Sequence, residues 1–138
     1  MVLFIASVKP NISNKRNVEE TVEVVKKLKN DNTLILISPH HFLLNFAYYY
    51  DIEIFKNYNT TNIYENINND IKASNIYGID NITQIDYMKW KHIVFLDAAA
   101  DFSNPNNNIL NSLNEHYVLD KKLEFYEIFK VYEYKQNK

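Results

Sequence analysis

Thr33-Leu34-Ile35-Leu36-Ile37-Ser38, followed by Pro39-His40-His41, is the stretch on which the fold turns. Its four central residues are apolar without alternation. A strand solvated on one face alternates, so this run reads as a strand covered on both faces, as in a parallel sheet. Pro39-His40-His41 then leaves the strand. The same texture recurs at His92-Ile93-Val94-Phe95-Leu96-Asp97, in shorter form at Ile76-Tyr77-Gly78-Ile79, and at Val2–Val8. Val2–Val8 reads as a first strand or as the remnant of a longer apolar segment upstream. It is too short for a signal peptide.

Helical periodicity fills the intervals. Asn17 precedes Glu20 by three residues, a capping-box spacing, and Val18, Val22, Val25 and Leu28 follow on one helical face. Phe42, Phe46 and Tyr50 mark an aromatic helix, with Asp51–Asn59 as its continuation or an irregular linker. Ile63, Ile67 and Ile71 suggest another helix ending near Asn75. Asp80 or Asn81 can cap one carrying Ile82, Ile85 and Met88, and Ile109, Leu110, Leu113 and Tyr117 form a short amphipathic helix. Leu123–Lys135 is aromatic and β-branched with partial alternation, which predicts two strands in an antiparallel hairpin at the sheet edge. The predicted order is β-α-β-α-α-β-α-β-α-β-β. Such alternation implies an α/β fold, a three-layer Rossmann-like sandwich whose sheet is mostly parallel apart from the C-terminal hairpin. No repeat or linker divides residues 1–138, which read as a single soluble α/β domain.

Composition narrows the function. The 138 residues are 46% hydrophobic and 23% charged, as expected of a globular domain. A net charge of −2 without a Lys/Arg run argues against nucleic acid as a partner. No segment reaches the ~18 apolar residues of a membrane span. The absence of cysteine excludes disulfides, thiolate catalysis and cysteine metal sites. The single glycine, Gly78, excludes G-x-G-x-x-G and P-loop phosphate cradles, so no such nucleotide cofactor is expected. Asn is abundant and can take the left-handed conformation where Gly usually closes helices and turns.

A doubly wound sheet binds ligands at the carboxyl ends of its strands. Those ends carry Lys9-Pro10-Asn11, Ser38-Pro39-His40-His41, Asp80-Asn81 and Asp97–Asp101. His40 and His41 could join Asp97 and Asp101 as an acid/base or metal cluster. Adjacent histidines lack the i, i+4 spacing of a helical ligand pair, so the simpler reading has one capping a helix and the other exposed. Asp97 and Asp101 sit where strand-end acids act in phosphatase-like enzymes. Ala98-Ala99-Ala100 between them offers no nucleophile, and turn chemistry explains the acids as well. Tyr49 and Tyr50, within Tyr48-Tyr49-Tyr50, could stack on a sugar, although core or partner contact explains them more simply. No serine stands in a G-x-S-x-G elbow. The residues do not assemble a self-sufficient active site, and no metal is expected.

Four stretches taken together carry a resemblance. They are Lys15-Arg16-Asn17-Val18 leading into Val22–Lys27; Thr33–Pro39 with Phe42-Leu43-Leu44-Asn45-Phe46-Ala47-Tyr48-Tyr49-Tyr50; Ile93–Ala98 with Asn104-Pro105-Asn106; and Phe125–Tyr134. The pattern resembles the soluble C-terminal domain of bacterial GT-C class membrane glycosyltransferases, the dolichyl-phosphate-mannose-protein mannosyltransferase-like proteins. The resemblance implies a parent enzyme in the inner membrane that uses a polyprenyl-phosphate sugar. This domain would be periplasmic and non-catalytic, and would assist acceptor binding or cover the membrane active site. Its partners would be the transmembrane part of its own parent protein and a glycan or lipid-linked sugar. The family's catalytic acid lies in the membrane part and maps to no position here. The alternative is a free-standing cytoplasmic α/β protein, a small-molecule binder or weak enzyme using His40, His41, Asp97 and Asp101.

Overall fold

The computed structural model describes residues 17–56, 61–99, 108–125 and 128–136. The expected strand Val2–Val8, Asp101 and Asn104-Pro105-Asn106 lie outside them. The described chain is a mixed α/β structure built on one five-stranded mixed sheet. Its strands are β1 (Thr33–Ser38), β2 (Ile76–Gly78), β3 (His92–Ala98), β4 (Tyr117–Phe125) and β5 (Phe129–Gln136). The helices are α1 (residues 17–28), α2 (Leu43–Tyr50), α3 (Ile63–Ile71) and α4 (Asn108–His116).

The sheet order is β2-β1-β3-β5-β4. β1 pairs in parallel with β2 and β3, whereas β5 runs antiparallel to both β3 and β4. All six residues of β1 are buried, as the unalternating run requires. Its side chains still divide by parity. Ile35 and Ile37 join Val94, Leu96 and Val131 in a core with Val22, Val25, Phe46 and Ile67 from the first three helices. Leu34 and Leu36 join Ile93, Phe95 and Tyr134 in a second core with Ile109 and Leu113 of α4. This is the period-two geometry of a strand with apolar partners on both sides.

Three expectations are corrected. The Asn17 side-chain oxygen is buried with no hydrogen-bond partner among the described residues, so Asn17 does not form the expected capping box with Glu20; its carbonyl accepts the Thr21 hydroxyl at 2.6 Å. The helix expected through Ile82, Ile85 and Met88 is a single 3-10 turn, Ile82–Gln84. Asn81 and Gln84 do form a capping box there, but Ile85 is already extended at φ −142° and ψ 144°. Tyr117 begins β4 instead of ending α4, and β4 thereby starts before Leu123. The expected C-terminal hairpin is present at one side of the described sheet, where β4 is outermost and β5 pairs antiparallel with both β4 and β3.

Asparagine takes the left-handed positions, with φ of 57° at Asn62 and 62° at Asn75. Gly78 does not have a positive φ. It is small because a Cβ there would stand 2.9 Å from the His40 carbonyl oxygen and 3.2 Å from Leu43 Cβ. The one glycine therefore lets β2 approach the chain leaving β1.

Candidate functional site

The carboxyl ends of β1, β2 and β3 meet where the sequence placed the site. The Ser38–Pro39 peptide is cis. The His40 amide then donates to Asp80 Oδ1 at 2.9 Å, and its Nδ1 contacts Asp80 Oδ2. Asp80 is held in turn, since its amide donates to Gln84 Oε1 at 2.7 Å. The Tyr64 hydroxyl of α3 donates to the His40 carbonyl at 3.3 Å, and its ring meets the His40 ring edge-on at 5.6 Å. Burial, then the negative charge of Asp80, raises the Tyr64 phenol above the ordinary tyrosine range. His40 thus joins the loops after β1 and β2 through Asp80.

Asp97 sits elsewhere on this rim. It is buried, and it lies opposite Ser38 in the β1–β3 register. Ser38 is fully buried, and its hydroxyl has no hydrogen-bond partner among the described residues. Helices α2 and α3 after β1 pack into the first core, while α4 after β3 packs into the second. The helices that follow β1 and β3 therefore lie on opposite faces of the sheet, with Ser38 and Asp97 side by side between them, the arrangement of a topological switch point. Ala99 follows at φ 62°, a conformation that costs a non-glycine residue about 1 kcal/mol.

The remaining expected residues are dispersed. His41 is exposed and touches the His40 ring edge-on at 5.8 Å. Tyr49 and Tyr50 are half-buried against the first core. Tyr50 stacks on Phe46 at 5.5 Å, with Lys26 Nζ 5.3 Å from its ring centre. It ends α2, about 12 Å of helix away from the strand-end loop. Asp101 lies outside the described residues. Among the described residues no group of three His, Asp or Glu is placed to hold a metal ion.

The amino ends of the parallel strands carry a cluster that spacing did not reveal. Thr33 Oγ1 lies 2.7 Å from His92 Nδ1, and His92 Nε2 lies 2.7 Å from Glu133 Oε2. A carboxylate only accepts, so Nε2 carries the proton shared with Glu133, while Nδ1 pairs with the Thr33 hydroxyl. Thr33 Oγ1 itself accepts the Asn30 amide at 2.9 Å. Hydroxyl, imidazole and carboxylate follow in the order of a nucleophilic triad. Thr33, however, is fully buried, so its hydroxyl cannot reach a substrate, and the chain staples β1, β3 and β5 together. The available signal was Glu133 itself, an acid set between the aromatic residues Tyr132 and Tyr134, since a buried acid demands a partner.

Two cavities open beside this cluster and share Lys91. One, of about 470 Å³, is lined by Asn32, Lys89, Trp90 and Lys91. The other, of about 530 Å³, is lined by residues that include Asn30, His92, Glu133 and Lys135. Compared with protein-family models, with curated proteins and with solved structures, the chain finds no match in any of the three.

Proposed function

We propose that this chain is the non-catalytic soluble domain of a multi-pass membrane glycosyltransferase that uses a polyprenyl-phosphate sugar donor. Its fold is then a three-layer Rossmann-like sandwich closed by the C-terminal hairpin. The domain assists acceptor binding or covers the membrane active site from the periplasmic side. The observation that carries this reading is β4. It is nine residues long and stands outermost among the described strands, with Val118, Leu119 and Leu123 exposed at 51%, 43% and 37%. A long edge strand with bare apolar side chains is a template for further polypeptide. The transmembrane part of the same parent protein is the partner this reading supplies, with a glycan or lipid-linked sugar beneath. The mutual engagement of His40 and Asp80 supports a covering role, because it ties together the loops that would otherwise display catalytic groups. The test is to read the genomic frame upstream of the Val2 codon. Several apolar segments of about 20 residues each are expected there. An in-frame stop codon and a ribosome-binding site just upstream would overturn the proposal.

A second reading is favoured by Ser38, whose buried hydroxyl lacks a partner among the described residues at the switch point beside Asp97. In it the chain is a free-standing cytoplasmic small-molecule binder using His40, His41, Asp97 and Asp101. A thermal-shift screen with nucleotides and sugar phosphates tests it. A stabilising compound should lose its effect in Asp97→Ala, and an unchanged shift would sink this reading.

A further inference from the structure

The Lys89-Trp90-Lys91 segment lies at the end of the sheet opposite the expected site. Its backbone is fixed at three points. The Trp90 amide donates to the Tyr87 carbonyl at 3.0 Å, and the Gln136 amide donates to the Lys91 carbonyl at 2.8 Å. The Tyr117 hydroxyl lies 2.6 Å from the Trp90 carbonyl oxygen and 2.9 Å from that of Tyr87, sharing its proton between them. The segment is therefore held in place before any ligand arrives, which lowers the ordering cost of binding.

The side chains are left available. Lys89 and Lys91 are exposed, and neither makes an ion pair among the described residues. Trp90 is half-buried, packing partly on the second core while it lines the cavity. Glu133, the acid of the adjoining cavity, contacts His92 and pairs with neither of these ammonium groups among the described residues. Asn32 adds an amide with both donor and acceptor atoms. The volume of about 470 Å³ lies within the range of small-molecule sites, roughly 300–1,000 Å³.

We infer that this cavity binds a small cyclic organic phosphate, with the phosphate between Lys89 and Lys91 and the attached ring against the Trp90 indole. Two ammonium groups suit a phosphate dianion better than a single carboxylate, because Lys acts on phosphate as a point charge. The indole supplies the apolar face on which a pyranose or a nucleobase lies, and Asn32 reads the ring's polar edge. The site is independent of the function proposed above, since its lining includes neither the exposed β4 residues Val118, Leu119 and Leu123 nor the strand carboxyl ends.

Trp90 is the only tryptophan in the chain, so its emission reports on the site directly. The full chain is titrated with glucose 1-phosphate and with adenosine 5′-monophosphate, and with inorganic phosphate and glucose as the two halves of the ligand. At least one cyclic phosphate should change the emission saturably with a midpoint below about 1 mM, at least tenfold tighter than either half. Which one does so identifies the ring as sugar or base. The double substitution Lys89→Ala, Lys91→Ala should raise that midpoint at least about tenfold, and Lys89→Arg, Lys91→Arg should largely restore it. Circular dichroism confirms that both variants fold. No saturable change up to about 10 mM with either cyclic phosphate overturns the inference, as does an unchanged midpoint in the folded alanine variant. Equal affinity for inorganic phosphate removes the ring from the assignment and refutes it as stated.

Discussion

Replacing Gly78 with alanine should destabilise the protein, and the structure sets the size of the effect. Gly78 has no positive φ, so alanine meets no backbone penalty there. Relief of glycine's unfolded-state freedom would favour Gly78→Ala by roughly 0.4–1 kcal/mol. Against that, the added Cβ stands 2.9 Å from the His40 carbonyl oxygen and 3.3 Å from His40 Cα, both backbone atoms that no rotamer change can move aside. Overpacking of this kind costs about 1–3 kcal/mol. β2 must yield, yet it is fixed to β1 by the Ile79 amide donating to the Ile37 carbonyl at 2.8 Å. The net loss should be about 1–2 kcal/mol, which for a chain of this size lowers the melting temperature by about 3–8 °C. Urea unfolding followed by Trp90 emission and by circular dichroism measures it. A midpoint equal to or above that of the parent protein, at unchanged slope, would show that the close approach is not what requires glycine.

Further outcomes are expected. Asn75→Ala should cost about 1 kcal/mol because alanine tolerates the left-handed region poorly, while Asn75→Gly stays within about 0.5 kcal/mol; paired denaturation curves distinguish them. His92→Ala leaves Thr33 and the largely buried Glu133 without their shared partner and should cost about 2 kcal/mol by the same assay, with a loss under 0.5 kcal/mol arguing against the staple. Tyr134 is fully buried, and burial raises its phenol far above the usual value of 10.0. The unfolded chain therefore ionises first, so stability holds below about pH 10 and falls as pH rises beyond it. In Tyr134→Phe that alkaline fall should be shallower, which tyrosinate absorbance and urea midpoints at successive pH values would record.

β1 and β3 could be read directly because burial on both faces leaves an unmistakable composition, four apolar residues in succession. α1 and α3 followed from their spacing, as Val22, Val25, Ile67 and Ile71 are all buried. The helix expected at Ile82–Met88 failed because periodicity does not measure burial: Ile82 is buried, while Met88 is 49% exposed. Tyr117 fits the α4 face by count, but what buries it is its hydroxyl reaching the Tyr87 and Trp90 carbonyls across 27 to 30 residues. The strand-end region was legible from the α/β order alone. Its internal pairing was not, because His40 and Asp80 are 40 residues apart and nothing local to either names the other. His92 and Glu133 were hidden in the same way, 41 residues apart.

The placement of β5 has a consequence for the order in which the chain can assemble. β4 and β5 meet through the neighbouring pair Phe125 and Phe129, a local closure that hairpins complete in about 1–10 μs. Pairing β1 with β3 instead joins Thr33 to His92 across 59 residues, the slow, non-local event. During synthesis β3 emerges before β5 exists. Until β5 arrives, the flank of Ile93, Val94, Phe95 and Leu96 stands open, although all four are fully enclosed at the end. A chain cut before β5 would thus leave β3 with one unpaired margin, and the hairpin is the piece that covers it.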